Sequence, residues 1–178
     1  GMWTTHLVGL VGAHTAASTE PEAIVTGVNR DLCRMSSAVP VTMFLARLDP
    51  STGRLDYCSA GHPPTLLLRV DGQLEWLSEG GPLLGALPAA SYARGRVELR
   101  AGDVLMAYSD GLIESRNKAD QEFGSERLEV QLRRARTASA EAVLFSVLAA
   151  VQDFGGVNPL ADDMALVVVH RGVPQGHA

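Results

Sequence analysis

The chain has 178 residues, 46% of them hydrophobic and 20% charged, ordinary values for one globular domain and unlike those of a disordered or fibrous polymer. Fifteen Lys and Arg against twenty Asp and Glu leave a net charge of -5, which disfavours nucleic acid or an anionic membrane as the main partner. No apolar run approaches the ~18–20 residues that span a bilayer. The opening Gly1-Met2-Trp3 lacks the basic region of a secretory signal, and Cys33 and Cys58 form no Cys-x-x-Cys pair, so a reducing, cytoplasmic setting without a disulfide framework or zinc knuckle is expected.

Trp3, Leu7, Leu10 and Val11 recur at near-helical spacing and predict a first helix ending in the small, polar residues around Ala17. Thr19-Glu20-Pro21-Glu22 then reads as a capping box, with the Thr19 hydroxyl accepting an orphan amide and Pro21 tolerated in the first turn. The second helix carries Ile24, Val28, Leu32 and Met35 on one face. Each helix is expected to show a single apolar stripe and to act as a covering layer. From Val41 to Leu48 the pattern is strand-like, the run Asp49-Pro50-Ser51-Thr52-Gly53 is a turn, and the chain returns from Arg54 to Ser59. A second hairpin is predicted from Thr65–Val70 through Asp71-Gly72 to Gln73–Leu77, since Asp-Gly suits a tight primed turn. Arg96–Leu99 and Val104–Tyr108 complete what reads as an antiparallel meander. Helical periodicity returns at Ser125–Ala135 and at Ser139–Phe154, where Ser139 is the expected cap and Gly155-Gly156 the stop. Met164–Val169 is the last strand, and residues 171–178 read as a polar tail. This order argues for a single α+β domain over residues 2–170, a sandwich with helices covering sheet faces.

Acidic residues stand where strands end or begin: Asp110 before Gly111, and Asp162-Asp163 ahead of the final strand. Carboxylates gathered at one end of a sheet suit a hard divalent cation, because Mg²⁺ and Mn²⁺ prefer oxygen ligands. On spacing alone the plainer reading is that Asp110-Gly111 makes a turn and Asp162 caps a strand. His62, within Gly61-His62-Pro63-Pro64, is a metal ligand or proton-transfer group on one reading and a loop anchor on the plainer one. Gly80-Gly81-Pro82-Leu83-Leu84-Gly85 matches no phosphate-cradling pattern and reads as a turn. Gly-x-Ser-x-Gly is absent, and Arg133, Arg134 and Arg136 read as a solvated basic face.

Taken together, Ser59-Ala60-Gly61-His62-Pro63-Pro64, Gly81-Pro82-Leu83-Leu84-Gly85, Gly102 through Glu114 with its Ser109-Asp110-Gly111, Phe123-Gly124, and Asp162-Asp163-Met164-Ala165 occur in an order that resembles the stage II sporulation protein E group of metal-dependent (PPM-type) serine/threonine phosphatases. The resemblance covers nearly the whole chain. It implies an α/β/β/α sandwich with antiparallel sheets, and hydrolysis of phosphoserine or phosphothreonine by water that two Mn²⁺ or Mg²⁺ ions activate, without a phosphoenzyme. It assigns Asp110 and Asp162 as metal ligands, with Asp163 behind them and Gly111 and His62 as supporting loop positions.

The family's opening Gly-Asp strand and its Asp-x-x-Gly-His-Gly motif, which supplies a bridging carboxylate, are not in this sequence. The match begins inside the helix that follows that motif, so the domain is expected to lack its first strands and to bind metal weakly. An uncovered sheet edge or apolar face would favour a homodimer. The leading expectation is a phosphatase domain acting on a phosphorylated regulatory protein of the anti-anti-sigma type. The alternative is a pseudophosphatase or regulatory binding module, and a third reading is an unrelated α+β metal-binding domain.

Overall fold

A computed structural model of the chain describes residues 2–35, 39–156 and 163–172. In chain order it shows helices α1 (Met2–Ala17) and α2 (Pro21–Arg34), then strands β1 (Met43–Leu48), β2 (Arg54–Ala60), β3 (Thr65–Leu68), β4 (Leu74–Leu77), β5 (Gly80–Gly81), β6 (Gly95–Glu98) and β7 (Val104–Tyr108). Helices α3 (Asp110–Ile113), α4 (Gly124–Arg134) and α5 (Ala140–Gly155) follow, with β8 (Leu166–His170) last. The class is mixed α+β with largely antiparallel sheets, as the element order predicts. Among the described residues no helix is long and apolar enough to cross a membrane.

The elements fall into two compact units, one built from α1, α2, β1, β2, β5 and β6, the other from β3, β4, β7, β8 and α3–α5. In the first unit β1 pairs antiparallel with β2, from Met43 opposite Ala60 to Leu48 opposite Leu55. The other edge of β2 is shared: β6 lies antiparallel against its first half and β5 parallel against its end. The side chains of Ile24, Val25, Val28 and Leu32 on α2 bury against Cys58, Ala60, Leu84 and Tyr92. This is the helical period meeting the period of two. Asn29, 1% exposed, accepts from the Gly85 amide at 2.9 Å and donates to the Leu87 carbonyl at 3.0 Å, fixing the loop after β5 onto α2. At the far end of β2, Asp56 is 1% exposed and lies against Arg47, Arg54 and Arg96. Burial pushes its carboxyl up, but the Arg96 hydrogen bond and the charges of Arg96 and Arg54 outweigh that and hold it below the usual carboxylate range.

In the second unit the strand order is β4-β3-β7-β8, with β7 antiparallel to both neighbours. Leu66, Leu68, Val104, Met106 and Tyr108 on one sheet face meet Leu112, Phe123, Leu128, Leu132, Val143, Val147 and Val151 from the helices. Removing that much apolar surface from water, at about 25 cal/mol per Å², is what holds the helices to the sheet.

Four local expectations are corrected. The cap of α2 is Glu20, in extended conformation, and its amide is taken by Ser18 Oγ at 3.1 Å; Thr19 does not cap. α1, by contrast, carries its expected single stripe: Leu7, Leu10 and Val11 pack inward while Val8, off that stripe, is 66% exposed; the Trp3 side chain lies outside the described residues. The Asp71-Gly72 turn is not of the primed type: only Gly72 has positive φ, and its amide donates to the Arg69 carbonyl. The middle strands are no meander, since β6 joins one sheet and β7 the other. Likewise Gly80-Gly81, expected as a turn, is a short parallel strand whose Gly80 backbone approaches Ser59 so closely that a Cβ there would lie 1.7 Å from the Ser59 carbonyl oxygen. The expected Ser139 cap is present, its hydroxyl accepting from the Ala142 amide at 3.2 Å.

Candidate functional site

Strand β7 buries most of its length and then must leave the sheet. Ser109 is still extended (ψ 158°), and Asp110 opens the four-residue α3, which Leu112 anchors in the core. The Asp110 side chain is exposed, and its Oδ1 accepts from the Gly111 amide at 3.0 Å. Gly111 itself is buried, with its carbonyl taken by Ser115 Oγ at 2.9 Å.

The register of β7 with β8 carries Asp110 to its counterpart. Tyr108 stands opposite Leu166, so the residues after Tyr108 and those before Leu166 share one end of the sheet. Ser109 closes that end. Its amide donates to the Ala165 carbonyl at 2.9 Å, its hydroxyl accepts from the Ala165 amide at 2.9 Å, and the hydroxyl lies 3.4 Å from the Asp163 carbonyl oxygen. Ser115 adds a second tie, its Oγ 3.7 Å from Met164 Sδ. Asp163 is exposed beside this clamp. Asp162, the other predicted ligand, lies outside the described residues. Burial and the nearby charge of Glu129 push the Tyr108 phenol up, so it stays neutral beneath the site.

His62 belongs to the other unit. Its Nδ1–H donates to the Pro63 carbonyl at 2.9 Å, and its ring centroid is 6.3 Å from that of Phe44. Neither Ser109 nor Ser115 stood out for a role in the sequence, although Ser109 was visible inside the motif. A hydroxyl at a strand end was the only signal, and it is common at any turn.

As donors, exposed carboxylates with oxygen ligands alone suit a hard cation in kind. In number they fall short: among the described residues no group of three or more His, Cys, Asp or Glu side chains is placed to hold a metal ion. A cation of this kind takes about six oxygens, so Asp110 and Asp163 would leave most positions to water or to residues outside the described set.

The family model described as stage II sporulation protein E (SpoIIE) matches residues 1–172. Among curated proteins, the chain is 28% identical to Protein IcfG of Synechocystis sp. over 134 residues, which are 75% of this chain and 21% of that protein. It is 27% identical to Phosphoserine phosphatase RsbU of Bacillus subtilis over 160 residues, 86% of this chain and 46% of that one. The chain thus spans less than half the length of either relative. Among solved structures, the SiaA-PP2C domain of Pseudomonas aeruginosa superposes with a TM-score of 0.84 at 18% identity, covering 95% of this chain and 69% of that chain. The manganese-presoaked phosphatase domain of the cell fate determinant SpoIIE from Bacillus subtilis gives 0.66 at 17% identity, covering 95% of this chain and 76% of that one. At these identities the structures establish a common fold.

Proposed function

We propose, from the premise that this chain belongs to the stage II sporulation protein E family of PPM-type phosphatases, that it takes part in metal-dependent hydrolysis of phosphoserine or phosphothreonine on a regulatory protein, an anti-anti-sigma-type factor being the substrate class to try first. The observation that supports this reading is the Ser109 clamp, which holds the backbone before Asp110 against residues 163–165. Asp110 and Asp163, 53 residues apart in sequence, thereby share one end of a sheet. In this proposal Asp110 and Asp162 carry the cation, Asp163 supports the loop, and His62 and Gly111 shape backbone. Mn²⁺ or Mg²⁺, when bound, would lower the pKa of water and offset charge on the phosphoryl oxygens. Ser109 and Ser115 would keep the carboxylates from drifting apart, which matters because ligands held by such supports lose about 10–100-fold in metal affinity without them.

A second reading has its own observation: the 178 residues contain no Asp-x-x-Gly-His-Gly. On that reading the fold serves as a phosphoprotein-binding module with little or no turnover. Phosphate release from a phosphoserine-bearing protein, measured with and without Mn²⁺ for the parent chain and for Asp110→Asn, separates the two. Manganese-dependent release that falls about 100-fold in Asp110→Asn supports hydrolysis at this site. Retained phosphoprotein binding with no release supports the module, and release indifferent to the substitution removes Asp110 from the chemistry.

A further inference from the structure

The outer face of the α4–α5 layer has features that neither the core nor the acidic end of the sheet uses. The two helices run antiparallel after a short connection: Phe123, ahead of α4, meets Phe154 near the end of α5 edge-on at 5.5 Å, and the Arg127 guanidinium sits 4.6 Å from the Phe154 ring centroid. Their inner positions, Leu128, Leu132, Val143, Val147 and Val151, are almost wholly buried. On the outside lies an open groove of about 710 Å³ with Val130, Ala149 and Ala150 at its middle. Val130 is 45% exposed and Phe145, one turn from Ala149, is 60% exposed, an apolar face that no described residue covers.

Charge is not spread evenly along this groove. Glu126 and Asp153 stand at the end near Phe123, where Arg127 lies over the Phe154 ring and donates to the Glu122 and Phe123 carbonyls, and Arg134 stands at the other. Eight residues of helix separate Glu126 from Arg134, about 12 Å along the axis. Among the described residues Glu126, Asp153 and Arg134 have no opposite charge within 4.0 Å, whereas Arg133 alongside is engaged by Glu129 and the Gly72 carbonyl. A face that is net acidic at one end, apolar in the middle and basic at the other matches its own copy turned about a two-fold axis through the middle. In that arrangement Arg134 of one molecule meets the acidic pair of the other, twice, with the apolar stretches in contact between them.

We propose that the α4–α5 face is a homodimer interface, with a second copy of this chain as its occupant. This places the homodimer on a helical layer instead of the sheet edge anticipated from the sequence, and it does not depend on whether the protein hydrolyses phosphate. The area of two short helices is modest, so the dimer forms at high rather than trace concentration. A nucleic acid is disfavoured because the groove carries as many acidic as basic rim charges.

Sedimentation velocity over a wide concentration range tests this with charge swaps, using the whole chain throughout. The parent should show a concentration-dependent monomer–dimer equilibrium. Arg134→Glu alone, and Glu126→Arg with Asp153→Arg in a second variant, should each weaken it by at least about tenfold, because both symmetric contacts become like-charged. An equimolar mixture of the two variants should restore the dimer, since every contact in the mixed pair is again opposite-charged. Val130→Lys, exposed and so harmless to folding, should weaken association without rescue by mixing. Circular dichroism confirms that each variant is folded. A parent that stays monomeric throughout, swaps that leave association unchanged, a mixture no tighter than its components, or a groove that takes up only a foreign amphipathic helix would each overturn the proposal.

Discussion

The two ends of β7 carry the same pair of residues in mirror order and use them oppositely. At one end, Gly102-Asp103 leads into the strand; at the other, Asp110-Gly111 leads out. Asp103 is 0% exposed and both its oxygens are engaged: Oδ2 accepts from Arg69 at 2.8 Å and from the Arg100 amide at 2.8 Å, and Oδ1 from the Val70 amide at 3.0 Å. Arg69 in turn reaches Glu75 at 2.6 Å. Burial disfavours the Arg69 cation, but Glu75 and Asp103 more than compensate and hold it charged. Asp110 is exposed and accepts from the Gly111 amide at 3.0 Å. A buried carboxylate whose two oxygens are both taken by protein donors stabilises the fold and is closed to an outside ligand. One that keeps oxygens facing solvent can take a cation.

The sharpest way to break this contrast is to neutralise each carboxylate in turn. Asp103→Asn leaves the buried Arg69 short of a counter-charge and turns an amide toward backbone donors, so unfolding free energy should fall by about 3 kcal/mol in urea titrations. Asp110→Asn should instead leave stability within about 0.5 kcal/mol while metal-dependent phosphate release drops. If Asp110→Asn destabilises as much as Asp103→Asn, the two ends are alike and the site reading fails.

A finer test lies between them. Ser109→Ala removes the acceptor for the Ala165 amide, and should cost about 1 kcal/mol of stability together with about tenfold in Mn²⁺ affinity by titration calorimetry. A loss of stability with metal affinity unchanged would reduce Ser109 to a strand-end staple. The smallest effect belongs to a third carboxylate, outside the second unit. The Ser51 hydroxyl and amide and the Thr52 hydroxyl hold the Asp49 carboxyl down at about 2. Because that value lies below the unfolded one near 4, the contribution is complete above pH ~4 and disappears as pH falls toward ~2. The melting-temperature gap between the parent and Asp49→Ala should therefore narrow across that window; a gap that is constant from pH 5 to pH 2 would show the turn indifferent to its charge.

Much of this was legible because it is local. The Asp49–Gly53 turn, with Gly53 at φ 81°, the Ser139 cap and the apolar stripes of α2, α4 and α5 each depend on neighbours within about one turn of chain, and periodicity reports that range faithfully. The capping box at Thr19 failed for a reason of the same kind: the helix starts one residue later, and Ser18 was already positioned to take the amide. The order of motifs around Asp110 was likewise readable as an order of residues.

What residue order by itself determined was therefore the α+β class, the approximate limits of helices and strands, and the acidic residues at strand ends. Tertiary structure alone decided that β6 and β7, adjacent in the chain, belong to different sheets, that Gly80-Gly81 pairs with β2, and that Asp103 is consumed by Arg69 while Asp110 stays open. The reason is physical. A strand carries the same alternation whichever edge it joins, and an aspartate beside a glycine has the same chemistry at either end of a strand until distant donors arrive to claim its oxygens.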